Sequence, residues 1–204
     1  MGGIVKQGKW GVCGFVSVLN ALHMNGKLKE FGTELGIESV QKRLVAEVIT
    51  YLKVRNLQNP TITNEILTFT KSFGHPYNRY TGVPDLIRHL ERELKSSAHD
   101  TASVINQGGI GVAMPTNAVA DYADFAGAQC SIKRTVPTSL SQASLIKHRE
   151  CAVGIGYNGG LRHWVYVDNN GNLYNWGSVH ALADSSAKPP NLDRFSHIYG
   201  VVQL

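Results

Sequence analysis

The chain has 204 residues, 43% hydrophobic and 17% charged, a balance that suits one soluble domain with its own core and excludes a low-complexity or disordered chain. Its net charge of +5 is spread over separate clusters such as Lys42-Arg43, Arg88-Arg92-Lys95 and Lys133-Arg134, with no aromatic-interleaved basic stripe, so no nucleic-acid partner is expected. No apolar run approaches the roughly 20 residues of a membrane span, Lys6 stands where N-myristoylation needs Ser or Thr, and the apolar stretch after Lys9, broken by Ser17 and Asn20, makes no clean signal peptide.

In chain order, residues 13–24 carry apolar side chains at helical spacing and Gly26 supplies a stop. Residues 34–55 place Leu35, Val40, Leu44, Val45, Val48, Ile49 and Leu52 on one broad face of a second helix. Thr63 caps a third helix running to Ser72, which Gly74-His75-Pro76 ends. Pro84 opens a fourth over residues 85–95, with Leu86, Ile87, Leu90 and Leu94 turned inward. Short apolar runs between turn signals then predict strands at 109–114, 129–136, 151–157, 163–168, 173–176 and 198–203. Asn169-Asn170-Gly171-Asn172 predicts a hairpin turn between two of them, because Asn and Gly tolerate positive φ. Residues 183–196 read as an exposed loop. The pattern predicts an α+β fold: a single domain over residues 1–204, with a helical lobe in 1–107 packed on an antiparallel β-sheet lobe in 108–204.

Three cysteines cannot all pair within one chain. Cys130 and Cys151 lie in apolar runs, where a cysteine serves as a small buried hydrophobe, so a reducing, cytoplasmic site of action is expected. Cys13 stands apart. It lies at a predicted helix start after Gly8 and Gly11, where the helix N-terminus favours a thiolate, and Gly14 leaves room beside the sulfur. Of the eight histidines only His163 has a suggestive context, at the opening of a strand that can aim it at the helix. The returning strand ends Tyr174-Asn175-Trp176-Gly177, and a hairpin of this length brings the Asn175 amide to the His163 ring, with Trp176 shielding the contact from water. Asp168 is the rival orienter, but strand alternation turns it to the opposite face. With no Cys-x-x-Cys or His-x3-His pair, neither a metal nor a cofactor is expected.

The run Gln7-Gly8-Lys9-Trp10-Gly11-Val12-Cys13-Gly14 resembles the signature of the papain-like cysteine protease superfamily, in which a glutamine precedes the nucleophile by six residues. Asn175-Trp176-Gly177 resembles that family's Asn-x-Trp-Gly, one residue shorter, and the order Gln, Cys, His, Asn is also the family's. The resemblance covers residues 7–24 and 161–177. It implies a papain-like fold and peptide-bond hydrolysis of a protein substrate by Cys13 as nucleophile, His163 as base and Asn175 as orienter. Gln7 then contributes a side-chain donor to the oxyanion hole beside the Cys13 N–H. Trp10 stands where eukaryotic papains usually carry a disulfide cysteine, so the chain is more similar to compact bacterial types, the double-glycine leader peptidases and interbacterial toxin effectors. That similarity implies delivery from a bacterium without a classical signal peptide and a cognate immunity or inhibitor protein. It also implies glycine before the cut, as does crowding of the cleft by Trp10, Trp164 and Trp176, since glycine has no Cβ. Two other activities use the same constellation. A peptidoglycan amidase or endopeptidase usually has Ser after the nucleophile, which this chain lacks, and an acyl or glutamyl transferase shares the whole set.

Overall fold

A computed structural model describes residues 11–27, 37–96, 111–133 and 137–204. Helix α1 (Cys13–Met24) starts and stops where its sequence pattern places it, with Gly26 at φ +69 just beyond its end. It is buried on nearly all sides, Phe15, Val18, Leu19 and Leu22 included. Phe15 meets Tyr51 and Tyr122 edge to face, with ring centroids 5.6 and 4.6 Å apart. These contacts fix the first turn of α1 against α2 (Ile37–Gln58) and a later helix, α5 (Thr116–Phe125).

Helix α3 (Pro60–Lys71) begins three residues before the expected cap. Pro60 occupies its first turn, where a missing N–H leaves no hydrogen bond unmade. Thr63 is therefore inside the helix, buried, and donates to the Pro60 carbonyl at 3.0 Å. Helix α4 (Val83–Ser96) starts one residue before Pro84. The strand expected over 109–114 does not form among the described residues there: Gly111 makes one parallel bridge to Gly11, and residues 112–115 lead irregularly into α5. Residues 109 and 110 lie outside the described residues.

The second half forms an antiparallel sheet in the order β1 (Ser131–Lys133), β7 (His197–Gln203), β3 (Cys151–Tyr157), β4 (Gly160–Val167), β5 (Asn172–Asn175), β6 (Ser178–Ala181), with β2 (Thr138–Ser139) also on β7. The molecule is thus α+β, as the sequence predicts. The two faces of the sheet do different work. Ala152, Trp164 and Val202 join the helices in one core. Val153, Ile155, Val165, Val167 and Val201 pack instead under a short helix α6 (Gln142–Ile146) and the stretch 182–195. That stretch is not the wholly exposed loop its sequence predicts, since Leu192 and Phe195 are buried anchors and the Lys188 ammonium donates to the Phe195 carbonyl. No helix among the described residues is long and apolar enough to cross a membrane.

Candidate active site

Cys13 is the first residue of α1, which has no side-chain cap, so the N–H groups of its first turn are open towards the sulfur. The segment 111–114 laces this end of the helix to its neighbours. Val112 N–H donates to the Gly11 carbonyl at 2.9 Å, Ala113 exchanges two hydrogen bonds with the Thr70 hydroxyl of α3, and the Met114 carbonyl accepts from the Trp164 indole of β4 at 2.9 Å. A Cβ on Gly14 would stand 2.8 Å from the Met114 sulfur, so glycine after the cysteine lets the buried Met114 side chain pack here without shifting.

Contrary to what its sequence context predicts, His163 does not open its strand. β4 starts at Gly160 and places His163 in its interior, on the face shared with Val165 and Val167. Just before it the ladder is bulged: Ile155 pairs with His163 and Gly156 with Leu161, leaving Arg162 as the extra residue. A Cβ on Gly156 would come 1.9 Å from the Gly160 carbonyl oxygen, which is why the bulge is tolerated only opposite a glycine.

The His163 ring is buried and its Nε2 donates to Asn175 Oδ1 at 2.7 Å. With the acceptor an amide oxygen, the neutral tautomer carries its proton on Nε2 and keeps the Nδ1 lone pair for another proton. Trp176 stacks on the ring at 4.6 Å between centroids, and Phe195 lies parallel to it at 5.7 Å. Asp168 is occupied elsewhere. Its carboxylate accepts from the Asn170 and Asn172 N–H groups, the Asn172 amide and the Tyr174 hydroxyl, and so organises the β4–β5 turn.

Cys13, His163 and Trp176 line one cavity of about 220 Å³, together with Thr70, Phe73, Tyr77, Arg162, Arg194 and the backbone at Gly11 and Gly111. Burial pushes the Cys13 thiol up to about 11, against backbone hydrogen bonds from Trp164, Gly14 and Cys13 itself that act in the opposite direction. Burial likewise takes the His163 imidazole down to about 4; the Asn175 hydrogen bond opposes this and the Arg194 charge adds to it. Both shifts favour the neutral thiol and the neutral imidazole in this one cavity. This differs from the thiolate expected of a helix N-terminus, because desolvation of the sulfur outweighs the N–H groups around it.

Of the residues singled out from sequence, Cys13, His163 and Asn175 are brought together, while Gln7 and Trp10 lie outside the described residues. Trp164 does not crowd the cleft: it faces the helical core, buried behind the site. Sequence reasoning passed over Arg162, Arg194, Phe195, Thr70 and Tyr77. Arg162 adjoins His163 in sequence, but the other four have no local signal. A larger, open hollow of about 480 Å³ around Arg79, His89 and Arg92 has no cysteine, serine or threonine among the described residues that line it. Cys130 and Cys151 are free thiols bonded to backbone carbonyls of Ala120 and Arg149. No family model matches the chain, and neither does any curated protein or solved structure.

Proposed function

We propose that the chain is a papain-like cysteine hydrolase that cleaves peptide bonds of a protein substrate. The observation that carries this reading is the 2.7 Å Nε2–Oδ1 hydrogen bond by which Asn175 orients His163, a residue that lines one cavity with Cys13 at the start of a helix. A scissile carbonyl entering this cavity meets a thiol and a base that are both neutral. His163 Nδ1 takes the thiol proton as the sulfur attacks the carbonyl carbon, and the resulting imidazolium is stabilised by Asn175. The Cys13 N–H faces the developing oxyanion, joined by the Gln7 amide on the strength of the papain resemblance. His163 then gives its proton to the leaving amine, and water attacks the thioester with His163 again as base.

The toxin role and a cognate immunity protein belong to the same proposal and are supported by resemblance alone, whereas glycine before the cut is supported by resemblance and by the bulky side chains around the cavity. The steric argument for glycine now rests on Phe73, Tyr77 and Trp176 around the cavity rather than on Trp164.

The test is the appearance of new protein termini in a bacterial lysate. The wild-type chain is expected to generate them, and Cys13→Ala to generate none. Asn175→Ala should lower turnover by about tenfold to a thousandfold, since the ring loses its orientation. Asp168→Ala should cost stability through the turn while the folded fraction keeps its turnover. Substrates that gain mass instead of losing a fragment would mark a transferase, and release of peptide stems from purified cell wall would mark the amidase.

A further inference from the structure

We infer that the Cys13 cavity takes a substrate bearing a carboxylate close to the reacting bond, held by Arg162 and Arg194. The inference rests on Cys13 as the reacting centre. Among the described residues, those lining this cavity include two arginines and no acidic residue. Among the described residues neither arginine has a carboxylate within ion-pair distance.

Each guanidinium is held by aromatic rings instead. Arg162 lies over Phe73 and Tyr157, 5.0 and 5.4 Å from their centroids. Arg194 lies over Trp176 and Phe195, at 5.1 and 4.8 Å. Stacking fixes the plane of a guanidinium while leaving its N–H edge unspent, and that edge matches a carboxylate in two parallel hydrogen bonds. The Nε of Arg162 is buried and has no hydrogen-bond partner. A buried donor left without an acceptor is unfavourable, and an acceptor on a bound anion offsets that cost.

The two side chains reach the site by different routes, which is why the pairing is specific. Arg162 is the bulged residue immediately before His163, so the irregularity that re-aims it also sets its place relative to the base. Arg194 comes from the stretch between β6 and β7 and sits on the ring that covers His163. Its charge opposes protonation of His163. A carboxylate bound there offsets that charge and favours the imidazolium that the reaction requires. Such a carboxylate is supplied by an Asp or Glu side chain or by a chain terminus.

Iodoacetate and iodoacetamide are nearly isosteric alkylating agents that differ in charge, so they probe the field at Cys13 without any hydrolysis. The ratio of their rates, read by mass spectrometry at pH 9, is expected to be about tenfold higher at Cys13 than at unfolded Cys130 in the same chain. It should fall at least threefold in Arg162→Gln and in Arg194→Gln, stay high in Arg162→Lys, and shrink in 0.5 M salt, all as an exposed charge field does. Equal ratios at the two cysteines, unmoved in either Gln variant, overturn the inference.

Paired peptides then separate the two sources: internal Glu against Gln, and a C-terminal acid against the amide. A preference of at least fivefold for the acid in one pair, lost in Arg162→Gln, identifies which is read. Cys13-dependent cleavage with no acid preference in either pair counts against the carboxylate alone. A charge-selective Cys13 that cleaves nothing overturns the hydrolase reading and leaves the anion site standing.

Discussion

Cys13 and His163 are each driven by burial towards the uncharged form, and the direction of both shifts decides how the thiol reacts at rest. Were the pair a stable thiolate–imidazolium, alkylation by iodoacetamide would hold a plateau across the acid and neutral range, bounded by the imidazole above and the thiol below. With the thiol up at about 11 and the imidazole down at about 4, the thiolate fraction climbs throughout the neutral and alkaline range instead. Alkylation of Cys13 is therefore expected to accelerate by roughly tenfold per pH unit from about pH 6 to pH 10, with little change in His163→Ala. A plateau between pH 5 and pH 8 that His163→Ala abolishes would show an ion pair and sink this account. At this scale the sequence was readable where chemistry and chain position coincide: a cysteine at a helix start, a histidine one hairpin away from an asparagine. It was silent on Arg162 and Arg194. An arginine signals nothing by itself, and the aromatic rings that hold these two come from separate parts of the chain.

The element that completes the site is the two-residue turn between β5 and β6. Asn175 pairs with Ser178, and Trp176 and Gly177 between them both have positive φ, at +45 and +80. Two-residue hairpins of this hand favour Asn-Gly, because a bulky side chain is strained in the left-handed region. Trp176 accepts that strain in exchange for stacking on His163 and carrying Arg194. Replacing Trp176 with Asn removes a ring contact worth about 0.5–1.5 kcal/mol and relieves strain of about 1–3 kcal/mol. Stability should therefore change by between about 0.5 kcal/mol lost and about 2.5 kcal/mol gained, while turnover falls by about tenfold as water reaches the Nε2–Oδ1 bond. Thermal unfolding and kcat measured on one preparation check it; unchanged kcat would reduce Trp176 to packing. The hairpin at Asn169–Asn172 was legible because its turn chemistry is local. Helix α5 was passed over although Ala118, Val119, Tyr122 and Ala123 form a buried stripe at helical spacing, since ten residues after a proline give a short signal. Strand β6, Ser178-Val179-His180-Ala181, is only four residues long and largely exposed, too short for its alternation to mark a strand. The bulge at Arg162 depends on the glycine facing it in β3, a non-local cause that no window along the chain contains.

For the whole molecule, two buried imidazoles tie stability to pH. His163 is buried, with the rings of Trp176 and Phe195 packed against it and Asn175, Arg194, Arg162 and Cys13 around it. His89 is on α4, where Arg79 donates to its Nε2 at 2.9 Å and Arg92, Asp85 and Glu93 line the same hollow. Burial, joined by nearby arginines, takes both down to about 4 from an ordinary 6.5. Between these limits the unfolded chain binds protons that the folded chain refuses, so stability is complete above about pH 6.5 and declines as the pH falls towards 4. This sign is that of a depressed base, and the nearby carboxylates Asp85 and Glu91, held low by their partners, lose their contribution only at still lower pH. The expected loss from His163 alone is about 2–4 kcal/mol by pH 4, a large part of the stability of an ordinary domain. Urea unfolding midpoints followed from pH 7.5 to pH 4.5 should fall steadily in the wild type. His163→Gln, which retains a polar side chain that cannot charge, should flatten the curve, and His89→Gln should flatten it further when combined. Midpoints independent of pH across that range, or an unaltered slope in the double variant, would mean that neither imidazole is held neutral by the fold. The neutral resting pair at Cys13 would then lose its physical basis along with the pH dependence.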